Sequence, residues 1–207
     1  IDSKTFKPKD KASGKETVFL VFNHKNSTHW EAEDISLEIV FEDEDIIVIN
    51  KPFGLVTHPG AGNWSGTLAN ALLYHDKNLL KLDRAGIVHR LDKNTSGLMV
   101  ISKNAKSQKH LVNQLQVHSV EREYSAIVYG HMISGGTVNE PIGRDSRDRI
   151  KQAISNGGKE AITHYRVIDR YKSHTHVKAI LETGRTHQIR VHLSHIGHPL
   201  VGDPVYG

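Results

Sequence analysis

The feature that most constrains how this chain folds is a series of short apolar segments, some continuous and some with the two-residue period of half-buried strands. Such segments occupy residues 39–41, 46–49, 98–101, 123–129, 163–169 and 176–182. Only two stretches, about 105–117 and 187–196, have the 3.6-residue period of a helix. Strands therefore outnumber helices, and their spacing suits hairpins or meanders. The pattern predicts a mostly antiparallel α+β fold rather than a doubly wound parallel one.

Both predicted helices have a candidate capping residue. Asn104 is placed to cap the first helix, in which Leu111, Val112 and Leu115 share one face. Thr186 is placed to cap the second. Capping by Thr186 would leave the free N–H groups of that helix directed at a bound anion.

Composition excludes several classes of protein. The chain has 207 residues, 37% of them apolar and 24% charged, which suits one ordinary domain plus at most a small extra one. It has no cysteine, which excludes a disulfide scaffold, thiolate zinc ligands and a cysteine nucleophile. No apolar run is long enough to span a membrane, and no secretion signal is visible. We therefore expect a cytoplasmic protein without a membrane partner.

The net charge of +4 hides an uneven distribution. Residues 30–45 carry eight acidic and no basic side chains, whereas residues 46–207 carry 21 basic and 12 acidic ones. A basic excess of this size fits a polyanionic partner such as nucleic acid, because Lys and Arg neutralise phosphates. Charge alone equally allows a solvated basic surface.

The chain divides into three parts. Residues 1–22 resemble the end of a separate small domain, residues 23–36 a polar and acidic linker, and residues 37–207 the main domain. The chain begins at Ile1 without Met and ends at Gly207, so we expect it to be part of a longer protein, shortened at both ends.

The segment HRLDKNTSGL at 89–98 is the densest group of polar residues. It is either an ordinary turn or a site built on the adjoining strand. The cations of Arg90 and Lys93 would keep Asp92 ionised, which suits a nucleophile or an electrostatic group better than a proton donor.

A second polar segment, TGRTHQIRVHL, covers 183–193. Gly184 permits a turn, and Arg185 and Arg190 offer forked donors to a carboxylate or phosphate. A capped helix with surface arginines explains the same residues.

Four histidines, at 187, 192, 195 and 198, raise the possibility of a metal site. However, His187 and His192 are five residues apart rather than four, and no His-Glu-x-x-His pattern occurs. We expect no metal ligands here, and instead expect capping, surface or RNA-contacting histidines.

Taken in order, five segments resemble the motifs of the RluA-type pseudouridine synthases. They are INKPFGLVTHPG at 49–60, HRLDKNTSGL at 89–98, EREYSAIVYG at 121–130, GGTVNEPIGR at 135–144 and LETGRTHQIRVHLSHIGHPLVGDPVYG at 181–207. The resemblance covers about 37–207 and implies the pseudouridine synthase fold. It also implies that 1–22 is the end of an alpha-L (S4-like) RNA-binding domain.

By this resemblance, Asp92 is the essential catalytic residue, acting on the nucleoside either as a nucleophile or by removing a ribose proton. Arg190 matches the arginine that pairs with this aspartate. Tyr124 matches the tyrosine that stacks on the target base and could help to remove its C5 proton. Ile189 would contact the other side of the base.

The resemblance also implies residues that bind the RNA. Arg90 would occupy the gap left by the flipped uridine. His89 and Arg185 are further candidates for substrate binding. Lys51 would mainly brace the loop of Asp92, and a phosphate contact is its alternative role.

The reaction is an isomerisation without redox change, so the resemblance implies neither a cofactor nor a metal. Its implied partner is a hairpin loop of large-subunit (23S) ribosomal RNA, either free or in a pre-ribosomal particle, and the implied enzyme is a monomer. Other ribosomal or transfer RNA sites are the alternative targets. A ribosome-associated RNA-binding protein without catalysis is the alternative class, and a metal-dependent RNA hydrolase lacks its ligands.

Overall fold

Antiparallel strand pairing organises the part of the chain that the structure describes. The computed structural model describes residues 30–60, 62–148 and 151–207. Within these ranges the strands form one three-stranded, one four-stranded and one two-stranded sheet, and neighbouring strands in all three are antiparallel. The predicted α+β fold class is confirmed.

The first sheet supports the loop that contains Asp92. It consists of β1 (Ile39–Glu42), β2 (Ile46–Lys51) and β3 (Gly97–Ser102), in that spatial order. Alternate residues of β2 are buried, as the two-residue period predicts. They pack with helix α1 (Leu68–His75) and with two 3-10 helices at Lys77–Lys81 and Asp83–Gly86 in the first hydrophobic core.

The second sheet supports the Arg-rich segment. Its strands are β4 (Glu123–Tyr129), β5 (Gly136–Asn139), β8 (Ile162–Arg170) and β9 (His174–Leu181), in the order β4-β9-β8-β5. Strands β6 (Ile142–Arg144) and β7 (Gln152–Ile154) form the small third sheet. Helix α3 (Gln188–His195) follows β9, and its residues Leu193 and Val191 enter two further core clusters.

Helix α2 (Ala105–Gln116) begins where the sequence predicts. The Asn104 side chain accepts a hydrogen bond from the Ser107 N–H, and Ser107 in turn accepts one from the Asn104 N–H. Among the described helices, none is long and apolar enough to cross a membrane.

The prediction that Thr186 caps the last helix is wrong. The N-cap of α3 is His187, which has a left-handed backbone (φ 58°) and makes no side-chain cap. The Gln188 N–H donates to the Arg185 carbonyl at 3.2 Å, and the Gln188 side chain accepts the Arg185 N–H at 2.9 Å. An N–H donor expected to face an anion is thus used within the protein.

Most of the predictions made for the N-terminal part of the chain concern residues outside the described ranges. This applies to the predicted domain remnant at 1–22 and to the first seven residues of the predicted linker. Residues 30–36 form no helix or strand, but they are docked on the main domain. Trp30 packs against the first core, and Glu33 accepts hydrogen bonds from the Gly66 N–H.

We predict that Gly86 is essential for stability because of its position against β3. Its φ is +76°, and an added Cβ would lie 2.1 Å from the Ser102 carbonyl oxygen. Gly197 has a similar φ of +84° but open space around it. Gly197→Ala should lower the free energy of unfolding by about 1–2 kcal/mol, and Gly86→Ala by about 3–5 kcal/mol. Equal losses in urea unfolding would show that the contact with Ser102 is unimportant.

Candidate active site

The loop that carries Asp92 is held by hydrogen bonds to its backbone on both sides of the aspartate. Thr57 Oγ1 donates to the Leu91 carbonyl at 2.8 Å, and the Gly54 N–H donates to the Lys93 carbonyl at 2.8 Å. Leu91 itself is buried in the first core. The position of Asp92 is therefore fixed by the residues before and after it.

Lys51 completes this support from the end of β2. Its side chain is fully buried, and Nζ donates to the carbonyls of Pro52 and Leu55 at 2.9 Å and of Lys93 at 3.3 Å. Burial lowers its pKa, whereas the nearby charge of Asp92 raises it. All three protons are used inside the protein, which favours the bracing role of Lys51 over a phosphate contact.

Arg190, in the first turn of α3, lies between two carboxylates. Its Nη1 is 3.3 Å from Oδ2 of Asp92, a residue 98 positions earlier in the chain. Its Nε and Nη2 donate to Oδ2 and Oδ1 of Asp203 at 2.7 and 2.9 Å. The hydrogen bonds and charges of both carboxylates raise its pKa, Asp203 having the larger effect. The predicted pairing partner of Asp92 is thus in contact with it.

The cation that touches Asp92 differs from the ones that sequence proximity suggests. Arg90 and Lys93 flank it in the sequence, but its ion pair in the structure is with Arg190, and Nε2 of His187 lies 4.0 Å away. Both of these contacts are to Oδ2. About 18% of the Asp92 side chain is exposed, so a substrate can reach the carboxylate.

His187 connects Asp92 to Tyr206. Its Nδ1 lies 2.8 Å from the Tyr206 hydroxyl, which also accepts the Gln152 N–H. Burial lowers the pKa of His187 despite the opposing charge of Asp92, which favours the neutral ring. We assign the tyrosine hydroxyl as the donor to Nδ1. The remaining proton is then on Nε2, on the side of Asp92.

Tyr124 on β4 and Ile189 on α3 lie near the ion pair. Tyr124 is half-buried against the first core, and burial raises the pKa of its hydroxyl. The charge of Arg122 lowers that pKa, and the charge of Asp92 raises it. Ile189, beside Arg190 in the helix, is half-buried against the second core. One aromatic side chain from β4 and one aliphatic side chain from α3 are thus positioned in the part of the domain that holds Arg190 and Asp92.

His89 and Arg90 occupy very different environments. Nε2 of His89 accepts the Val100 N–H at 3.1 Å, and burial lowers its pKa to about 4, assisted by the charge of Arg122. His89 is therefore neutral and holds the loop against β3. Arg90 is exposed, so its guanidinium is available to a partner.

Arg122, which sequence reasoning missed, lies beside the turn at Gly184. Its Nη2 donates to the Glu182 carbonyl at 2.6 Å, and a Cβ added to Gly184 would meet Nη1 at 2.6 Å. Its Nε is buried without a hydrogen-bond partner in the structure. Arg185 uses its own Nε to donate to the Glu160 carbonyl at 2.8 Å. Only part of the predicted donor fork of Arg185 is thus left for a substrate.

The histidines near the C-terminus do not converge. Among the described residues, no group of three or more His, Cys, Asp or Glu is arranged to hold a metal ion. His192 is fully buried, with its ring nitrogens bonded to the Thr163 hydroxyl at 2.9 Å and the Glu140 carbonyl at 3.0 Å. Its role in this position is to join α3 to β8 and to the segment between β5 and β6.

These features define a half-buried aspartate paired with an arginine and flanked by a protonated tyrosine, in an antiparallel α+β domain. A family model described as RNA pseudouridylate synthase matches residues 45–195. The chain belongs to the RNA pseudouridylate synthase family.

Curated relatives give a more specific comparison. A Pseudomonas aeruginosa protein is 54% identical over 207 residues, and a Xanthomonas campestris pv. campestris protein is 50% identical over the same length. An Escherichia coli strain K12 protein is 54% identical over 201 residues, which is 97% of this chain. All three are named ribosomal large subunit pseudouridine synthase D. The chain covers 65%, 62% and 62% of their respective lengths.

Solved structures agree with the fold. Human RNA pseudouridylate synthase domain containing 1 is 28% identical with a TM-score of 0.68, covering 83% of this chain and 70% of that one. Human RNA pseudouridylate synthase domain containing 4 is also 28% identical, with a TM-score of 0.64 and coverage of 82% and 69%.

The low pKa of His89 predicts a loss of stability in mild acid. Its pKa is about 4 in the folded protein and about 6.5 when unfolded. Between these values the unfolded state binds more protons, so acid favours unfolding. His89 should therefore lower the free energy of unfolding by about 2 kcal/mol between pH 7 and pH 5.

Urea unfolding at the two pH values checks this effect. His89→Gln should reduce the pH-dependent loss by that amount, and the exposed His110→Gln should leave it unchanged. His58, whose pKa burial also lowers to about 4, accounts for part of what remains. An unchanged pH dependence in His89→Gln would contradict the assignment.

Proposed function

We propose that this chain isomerises uridine to pseudouridine in large-subunit (23S) ribosomal RNA, with Asp92 as the catalytic residue. The observation that carries the proposal is the contact between Asp92 and Arg190, at 3.3 Å, with the charge of Asp92 also acting on the half-buried phenol of Tyr124. A domain that only bound RNA would need basic surface, but not a carboxylate held beside a cation in a half-buried position.

The reaction breaks the N1–C1′ glycosidic bond, turns the detached uracil and joins C5 to C1′. The C5 proton leaves and N1 gains a proton, so substrate and product are isomers. Asp92 either attacks the nucleoside or removes a ribose proton, and both roles need an ionised carboxylate. Arg190 favours that ionised form by charge and hydrogen bonding.

Tyr124 and Ile189 are assigned to hold the base. An aromatic ring and an aliphatic side chain are suited to the two faces of a flipped pyrimidine. Because burial raises the pKa of Tyr124, its hydroxyl stays protonated near neutral pH. Tyr124 is therefore suited first to stacking on the base. To help remove the C5 proton, its hydroxyl would first have to give its own proton to another acceptor.

Arg90 and the basic surface are assigned to the RNA. Flipping a base costs a few kcal/mol and leaves a gap in the stack, which the exposed Arg90 is free to fill. The basic excess of 46–207 attracts the phosphates without selecting a uridine. The uridine is then selected because it lies in an RNA loop whose bases can be splayed out. His89 orients the protein loop that carries Asp92, and Arg185 offers its remaining donors to the RNA.

The names of the relatives support a large-subunit ribosomal RNA substrate. We further infer a cytoplasmic monomer that acts on free RNA or on a pre-ribosomal particle. Asp92 and Arg190 come from the same chain, so the site needs no second copy. We also infer that 1–22 is the end of an alpha-L domain, 23–36 a linker and 37–207 the catalytic domain.

Asp92→Asn tests the catalytic assignment. It preserves the size of the side chain but removes the charge, so pseudouridine formation should be abolished, while RNA affinity should stay within about tenfold. Arg190→Ala should also remove most of the activity, because the carboxylate loses its cation. Tritium release from C5-labelled RNA measures the rate, and filter binding measures the affinity.

Arg147→Ala is the matched control for the loss of an arginine, because the Arg147 side chain is exposed and makes none of the site contacts described above. This variant is expected to keep near-normal turnover. Measurable turnover by Asp92→Asn would refute the role of Asp92. A near-normal rate for Arg190→Ala would remove Arg190 from the site.

The substrate assignment predicts which modifications disappear when the gene is deleted. Position-by-position mapping should show pseudouridines missing from a hairpin loop of large-subunit RNA, and the wild-type gene should restore them. An Asp92→Asn gene should not. Loss from a transfer RNA alone would contradict the ribosomal target but not the synthase activity, and an unchanged map would contradict both.

A further inference from the structure

We propose that Asp203 is a positioning residue for the reaction: by binding two donors of Arg190, it limits this arginine to a single donor on Asp92. The inference rests on the proposed function, because it assigns how the reacting carboxylate is kept available. The family match ends at residue 195 and thus does not include Asp203.

The division of the Arg190 donors carries the proposal. A guanidinium presents its Nε and one Nη along one edge, in a fork that matches a carboxylate. In Arg190 that edge is occupied by both oxygens of Asp203, at 2.7 and 2.9 Å. Asp92 receives only Nη1, at the longer distance of 3.3 Å. The shorter and more numerous contacts thus belong to the carboxylate that does not face the substrate.

Asp203 is itself held rigidly. Its side chain is only 4% exposed, and Oδ1 also accepts the N–H groups of Val205 and Tyr206 at 2.9 and 3.2 Å. Burial opposes its ionisation, but the hydrogen bonds from Arg190 and the backbone outweigh this and lower its pKa. Asp203 is therefore an anion in a fixed orientation.

The ring of Tyr206 restricts the guanidinium further. It lies under the guanidinium carbon of Arg190, which is 4.9 Å from the ring centre. With one edge bonded and one face covered, Arg190 has little freedom to turn. Without Asp203, its forked edge would be free to bind both oxygens of Asp92. A carboxylate bound in that way is a poorer nucleophile or base, because its electron pairs are engaged.

Asp203→Asn tests this role, since asparagine preserves the shape and one acceptor oxygen but removes the charge. We expect kcat for pseudouridine formation to fall about 10- to 100-fold, a loss typical of a misplaced reacting group, while KM changes less than about twofold. Asp203→Glu, which retains the carboxylate, should recover part of the rate. Asp169→Asn removes one exposed acidic charge as the matched control and should keep the wild-type rate.

A kcat in Asp203→Asn equal to that of the wild type would overturn the proposal. An increase in KM with kcat unchanged would do the same, because it would show a binding role only. The same loss of rate in Asp169→Asn would show an effect of net charge rather than of position.

A second measurement does not depend on activity. The Nε–H group of Arg190 should give a proton NMR signal that exchanges slowly with solvent, because it is bonded to the buried Asp203. Arg190→Lys identifies the signal by its disappearance. Exchange as fast as that of exposed Arg147 would overturn the proposal. If the wild type makes no pseudouridine but this signal is protected, the proposed function fails while the Asp203–Arg190 geometry stands.

Discussion

The contact between Arg190 and Asp92 is the interaction on which the site depends. Asp92 lies in the loop before β3 of the first sheet, and Arg190 lies in α3, the helix that follows the second sheet. They are 98 positions apart, so they meet only when both sheets and their cores have assembled. The geometry of the reaction is therefore a property of the whole domain, and changes in either core can alter it.

The same contact explains why so many polar groups are buried around it. Lys51 and Thr57 hold the backbone of the Asp92 loop, and Asp203 and Tyr206 hold Arg190. In a partly desolvated setting an unpaired charge is costly, whereas a paired and hydrogen-bonded one is tolerated. The supporting groups let the protein keep an ionised carboxylate within reach of a substrate without leaving it free to move.

Sequence patterns predicted much of this fold, and the omissions have physical reasons. The two-residue period identified β4, β8 and β9, because successive side chains of a strand point to opposite faces, and a continuous apolar run identified β2. Helix α1 was missed because Leu68 to Leu73 are all buried, so no polar face marks its period. Strands β5 to β7 are three or four residues long, too short to establish a period. In the site, motif resemblance selected Asp92 and Arg190, but pairing with Asp203 and burial of Lys51 arise from tertiary packing that local sequence does not encode.

A double-mutant cycle on unfolding tests the central contact most directly. Asp92→Asn, Arg190→Gln and the double variant are compared with the wild type by urea unfolding, and the coupling energy isolates the pair. Hydrogen bonds to charged groups typically contribute about 1.5–3 kcal/mol, and the partial exposure of Asp92 weakens this one. We therefore predict a favourable coupling energy of about 1 kcal/mol or more. Additive effects, with coupling below about 0.3 kcal/mol, would contradict the account.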